Sequence, residues 1–413
     1  MTGLPISDFV SGDRLWARLM ELARFGERPD GGVDRPALSP AESAARAAIV
    51  EWGRKIGLVP YTDAAANLFL RLEGDDPGAA PVLAGSHIDS QPTGGKFDGA
   101  FGVLAALEAI EAIVASGSRP LRPVEMVAWT NEEGSRFAPG MNGSTAFCCP
   151  AELEQILSIV DAGGTTVRDA VAAVHAGDSG VLHRPLGWKP HCFLEAHIEQ
   201  GPLLERAGVP VGVVTGIQGT RRYRARVVGH ADHAGTAPME TRRDALLSAL
   251  KFVAAAERAA MAHPDIKFTV GLFEIEPNAP SVVPAEARFS IDVRHPDNSV
   301  VDALDATLRA LATEPGPCPV ELRQIAHAPS VAFSPWIQDE ITAAAARAGI
   351  PHMPIFSAAG HDARQLGHVV PTGMVFIPCR EGLSHNPAEW AEPDHVVAGA
   401  KVLADAIWRL SAN

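Results

Sequence analysis

Apolar residues between positions 13 and 25 fall at helical spacing (Leu15, Trp16, Leu19, Met20, Leu22), which predicts an amphipathic helix. Ser39 followed by PAESAARAAIVEWGRKIG reads as a second, capped helix. Residues 67–72 and 80–86 read as strands, the latter apolar in the manner of a buried strand. A helix is predicted over 99–117 and a strand over 124–130 (VEMVAWT). Such alternation predicts an α/β fold: a mixed, mostly parallel sheet flanked by helices. In sheets of this kind function collects at the carboxyl ends of strands. His87, Asp89, Asn131, Glu132 and Glu133 all fall just after apolar strands.

The texture changes near Gly208, where GVPVGVVTGIQGT reads as a hinge. A strand (221–228), a helix (241–261), two strands (267–276 and 285–294), a helix (299–312) and a strand (319–325) follow. This βαββαβ unit has the size of a small inserted domain. One catalytic domain, residues 1–212 and 330–413, is therefore expected, split by an insertion over 213–329.

Composition narrows the function. With 413 residues the chain can bury a large core without structural metals or disulfides. Any metal is thus expected to serve chemistry. A net charge of -14 argues against nucleic acid or an anionic membrane as partner. Five cysteines, with no CxxC pair, fit a reducing cytoplasm better than a disulfide framework. The first residues show no basic segment followed by an apolar core, so no secretory leader is expected. The most apolar helical stretch is interrupted by Glu108 and Glu111 and is too short to span a bilayer.

Four segments carry metal-ligating residue types. In GSHIDSQPTGGKFDGAFGV, His87 and Asp98 are joined by a Gly-rich loop, and Asp98 is read as opening the next helix. A carboxylate there has two oxygens and can bridge two ions. Asp89 is placed to hold the His87 imidazole from behind. In WTNEEGSRF, adjacent carboxylates repel unless cations compensate; Glu133 suits a ligand and Glu132 a general base. FLEAHIEQGPLLE adds His197, and CREGLSHNPAEW adds His385. Each segment alone has an ordinary structural explanation. Four in this order do not share one.

At these segments, and at HADHAGTAPM, GHDA and PTGM, the chain resembles the hydantoinase/carbamoylase family of amidohydrolases, relatives of the dinuclear zinc exopeptidases. The resemblance implies two divalent metal ions, zinc first, with manganese, cobalt or nickel as substitutes. Asp98 would bridge them, with His87 and His197 on one ion and Glu133 and His385 on the other. Glu132 would be the base and proton donor. It further implies that His233 stabilises the oxyanion, often from a partner subunit, so that the insertion serves as lid and homodimer surface. Arg294 would bind the substrate carboxylate, Gln200 the ureido group, and Gly360 the carboxylate through its backbone. Many relatives carry asparagine where this chain has Ser281; Asn278 is three residues out of register. The implied substrate is a small ureido acid, foremost an N-carbamoyl-L-amino acid. Allantoate, a β-ureido acid, a dipeptide or acyl-amino acid, and a non-catalytic scaffold are the alternatives.

Overall fold

The computed structural model describes residues 5–412; residues 1–4, the start of the segment read for a leader, lie outside it, as does residue 413. Contacts divide the chain into two compact units. One runs to Thr215 and resumes at Ala332; the other is Gly216–Val331.

In the first unit, Ser11 caps the helix Gly12–Ala23 by accepting the N–H of Arg14. Ser39 caps Pro40–Lys55 in the same way, from Glu42. These side chains satisfy donors that the first helical turn leaves free. The helix Ala100–Ala115 is apolar on nearly every face and almost wholly buried, as a core helix must be. Its Glu108 would be costly there alone. Arg14 donates to Glu108 at 2.8 and 2.6 Å, and the Ser11 N–H adds 2.6 Å. Arg18 pairs with Glu111 at 2.7 Å. The first helix thus neutralises the charges of the core helix. Among the described residues no helix is long and apolar enough to cross a membrane.

The sheet of this unit has ten strands. Four neighbours at its centre, Thr372–Ile377, Cys192–Ile198, Val82–His87 and Val124–Trp129, pair in parallel. Leu68–Leu72 and Val59–Thr62 continue one side antiparallel. The sheet is mixed, with parallel pairing at its centre. Its hydrophobic cluster includes Phe101, Leu104, Leu107 and Ile110 of the core helix and Leu403 and Ile407 of Pro393–Ser411. Burying each such side chain contributes about 1.5–3 kcal/mol.

Two readings around this sheet change. The segment expected as a hinge is a strand, Val211–Ile217, antiparallel to Thr372–Ile377. Its Gly212 is there for packing: a Cβ would press on Ile355, Leu204 and Phe376. Asp98 does not open the following helix either. Gly99 is the cap residue, with φ 63°, and the helix begins at Ala100.

The second unit is an antiparallel sheet of Lys267–Thr269, Phe273–Glu276, Glu286–His295, Gly219–Val228 and Val320–Ala328. The stretch 267–276, read as one strand, is two. Alternate residues of Gly219–Val228 and Glu286–His295 point inward, and Tyr223, Ala225, Phe289 and Ile291 cluster with Phe252 and Leu304 of the helices Ala245–Ala260 and Asn298–Ala312.

Candidate metal centre and active site

The four central parallel strands each deliver a site residue at or beyond their carboxyl ends. His87 ends Val82–His87, and His197 is the penultimate residue of Cys192–Ile198. Glu132 and Glu133 follow Val124–Trp129, and His385 lies in the loop beyond Thr372–Ile377. Asp98 sits among them, in the loop after His87. One of its oxygens is 3.2 Å from His197 Nε2 and 3.7 Å from His87 Nε2. The other is 3.2 Å from His385 Nε2, which is itself 3.4 Å from Glu133. Two ligand sets, His87–Asp98–His197 and Asp98–Glu133–His385, therefore share Asp98.

The backbone is bent to achieve this. Asn131, Gln200 and His385 all have left-handed φ, 54–57°, although none is glycine. Such strain persists only where surrounding contacts enforce it. Asn131 donates its amide to the Phe137 carbonyl at 2.8 Å, which turns the chain after the strand. The N–H groups of Glu132 and Glu133 then face Asp89, whose carboxylate accepts both at 3.1 Å. His87 Nδ1 lies 3.0 Å from the Asp89 carbonyl and 3.5 Å from its carboxylate. Asp89 thus holds the imidazole and also the Glu132–Glu133 turn.

Glu132 Oε2 is 3.7 Å from His87 Nε2. Burial, and then repulsion from Asp362, Glu133 and Asp89, pushes its carboxyl well above the usual range despite His87. Glu133 is pushed up by burial and by Asp98. Burial also opposes the Asp98 charge, but hydrogen bonds with His197 and His385 hold its carboxyl well below the usual range. A cluster of three carboxylates and three imidazoles, buried at His87, Asp98 and His197 and open at His385, calls for cations. The donor set is O and N only, carried by strand ends and the loops that follow them, which suits divalent ions.

Several residues that build the site carry no assignment from the sequence. Glu389, in SHNPAEW, is buried and accepts the N–H groups of Phe97 and Asp98 at 2.9 and 3.1 Å. The Ser384 hydroxyl lies 2.9 Å from both Glu389 and Asp98. Glu195, in EAHIEQGP, binds the Ser86 hydroxyl at 2.6 Å and the Ala363 N–H at 2.8 Å. His361, from GHDA, packs its ring 4.4 Å from that of His197, and burial holds it neutral. Asp362 accepts from the Ser144 hydroxyl at 2.5 Å. No local signal marks them, because most of their partners come from segments distant in sequence.

Of the substrate-binding candidates, Gln200 is turned onto Asp98 at 3.0 Å and Ser384 at 3.1 Å. Gly360 is exposed, beside buried His361. In the inserted unit, His233 is exposed on a two-residue strand paired with Val282–Val283. Its Nδ1 accepts the Gly235 N–H at 3.1 Å, which leaves Nε2 as the proton-bearing nitrogen. Ser281 lies alongside and accepts the Ala234 N–H with its carbonyl at 3.0 Å. Arg294 holds Asp292 through two nitrogens, at 2.9 and 3.2 Å.

Comparison with known proteins gives the family. Residues 83–409 match peptidase family M20/M25/M40. The N-carbamoyl-L-amino-acid amidohydrolase of Rhizobium meliloti is 37% identical over 405 residues, 96% of each chain. The allantoate amidohydrolase of Escherichia coli is 34% identical, covering 94% of this chain and 96% of that one. The crystal structure of a hydantoinase/carbamoylase family amidase from Burkholderia multivorans superposes with a TM-score of 0.91, at 43% identity over 98% of both chains. Strand-end carboxylates and imidazoles around a shared aspartate, with these relatives at full length, mark the chain as a metal-dependent amidohydrolase that belongs to peptidase family M20/M25/M40, in its hydantoinase/carbamoylase branch.

Proposed function

We propose that the chain hydrolyses the carbamoyl group of an N-carbamoyl-L-amino acid with two divalent ions, zinc foremost, at the paired ligand sets. The observation that carries this reading is Asp98, whose two oxygens face separate ligand sets. When bound, the ions acidify a water and polarise the ureido carbonyl. Glu132 takes the proton of that water as the oxygen adds to the ureido carbon, then returns it to the departing nitrogen. The C–N bond breaks, giving the amino acid and carbamate, which decays to carbon dioxide and ammonia.

His233, whose Nδ1 accepts the Gly235 N–H, is suited to donate from Nε2 to the developing oxyanion. We assign it to a partner copy, with the inserted unit as lid and dimer surface. Arg294 takes the substrate carboxylate with its planar fork, which Asp292 orients. Gly360 lends backbone groups to the same carboxylate, and Gln200 moves from Asp98 to the ureido group. Ser281, shorter than asparagine, leaves more room around the carboxylate. A cytoplasmic setting accords with five free cysteines.

Allantoate is the second reading, favoured by the 34% identity to the Escherichia coli enzyme. The test is turnover by zinc- or manganese-loaded enzyme of N-carbamoyl-L- and D-amino acids, N-carbamoyl-β-alanine, allantoate and dipeptides, with products identified by mass. Chelator-sensitive turnover of the L-carbamoyl substrates is expected. Turnover of allantoate alone would reassign the substrate, and inertness toward every compound with metal bound would refute the proposal.

A further inference from the structure

The inserted unit carries a row of charge that the hydrolase reading does not use. On the sheet face away from its two helices, residues align in cross-strand rows. One row reads Glu321–Arg226–Arg288–Glu274, two arginines between two acids. Another pairs Arg222 with Asp292, bonded at 2.8 Å. Between them, Arg323 stands directly opposite Arg224, and the row continues to Ser290. Neither the Arg224 nor the Arg323 guanidinium has a hydrogen bond or ion pair among the described residues. By contrast, Arg226 and Arg288 share Glu286, at 2.7 and 2.6 Å.

Like charges directly opposite in a sheet destabilise it. A folded surface that neutralises its neighbouring rows and leaves this pair bare has a use for the bare pair. The two arginines line a groove of about 410 Å³, together with Arg226, Arg288 and Leu272 and with Glu274 and Glu321 at its ends. That volume suits a small molecule. Two planar forks side by side suit a tetrahedral oxyanion. Ser290 lies four residues before Arg294 on the same strand, about 13 Å along it, which separates this groove from the substrate clamp.

We propose that Arg224 and Arg323 form a binding site for a phosphate-type dianion, either inorganic phosphate or a phosphomonoester. The site stands independently of the substrate assigned to the enzyme.

The test uses metal-loaded, full-length enzyme and calorimetric titration with inorganic phosphate, glycerol phosphate and succinate. Wild type is compared with Arg224→Gln, Arg323→Gln and the double variant. Saturable phosphate or phosphomonoester binding is expected in wild type. It should weaken at least tenfold in each single variant and vanish in the double, with turnover unchanged. Tighter binding of glycerol phosphate would identify the monoester as the ligand; equal or weaker binding would identify inorganic phosphate. Phosphate should raise the melting temperature of wild type only, while the double variant alone should melt no lower than wild type, since it loses a repulsion. Binding that persists in the double variant would place phosphate on the metal ions and overturn the proposal. So would absence of binding in wild type, or binding of succinate or an acidic peptide in preference to either phosphate.

Discussion

Asp89 accepts the backbone N–H of Glu132 with one carboxylate oxygen at 3.1 Å, while its other oxygen takes the N–H of Glu133 at the same distance. The two residues are 43 apart in sequence, yet the first fixes where the second can place its carboxylate. In Asp89→Asn one acceptor becomes a donor that faces a backbone N–H. Metal affinity and kcat should each fall about 10- to 100-fold, with the fold retained by circular dichroism. Unchanged values for both would show that the clamp is dispensable.

Glu132→Gln keeps the shape of the side chain and removes its basicity. Turnover should fall by about 10²–10⁴, while metal content measured by atomic absorption stays at the wild-type level. Loss of metal in this variant would make Glu132 a ligand instead.

Gly99 has φ 63°, and a Cβ there would overlap the His87 ring. Gly99→Ala should therefore cost about 1–3 kcal/mol in stability and weaken metal binding at least tenfold. Urea denaturation and a competitive chelator titration measure the two. A variant with normal metal affinity would mean that the loop carries His87 aside without loss.

Metal-free enzyme should lose stability as pH rises from about 4.5 to about 9. Burial pushes Glu389 up to about 7. The folded chain keeps a proton there that the unfolded chain releases near 4.5, so this contribution is full below about 4.5 and lost through about 7. The hydrogen bond to Asp98 raises His385 to about 9, and its contribution is lost as pH rises through that value. Metal ions displace these protons, so the gain in melting temperature on adding zinc should grow over the same range. A pH-independent urea midpoint in chelator-stripped enzyme would contradict this.

If His233 acts across a dimer, mixing inactive Glu132→Ala and His233→Ala enzymes should restore up to about a quarter of wild-type activity after random exchange. Exchange is followed by native mass spectrometry of differently tagged subunits. Complete exchange with no recovery would return His233 to its own subunit.

Much of the site was legible because its donors are rare residue types placed directly after apolar strands. His87, Glu132 and Glu133 are found by that rule alone. Glu389 and Glu195 were not, since a lone glutamate in sequence gives no sign that its carboxylate will meet backbone N–H groups from distant loops. The 211–217 strand was misread for a related reason. Its Gly212 answers to side chains on neighbouring segments, Ile355 and Phe376, which no local window contains. The βαββαβ order was legible from periodicity; the break between Thr269 and Phe273 was not, because both halves keep strand-like composition.

The shared aspartate has a consequence for how the protein is made. Asp98 pairs with His385, and the entire inserted unit is synthesised between them. At about 5–20 residues per second, roughly 15–60 s separate the two on the ribosome. Throughout that interval the nascent chain carries exposed acidic and imidazole groups able to catch whatever ion is abundant. The second ligand set, with Glu133 and His385, can close only after the whole inserted unit has been made.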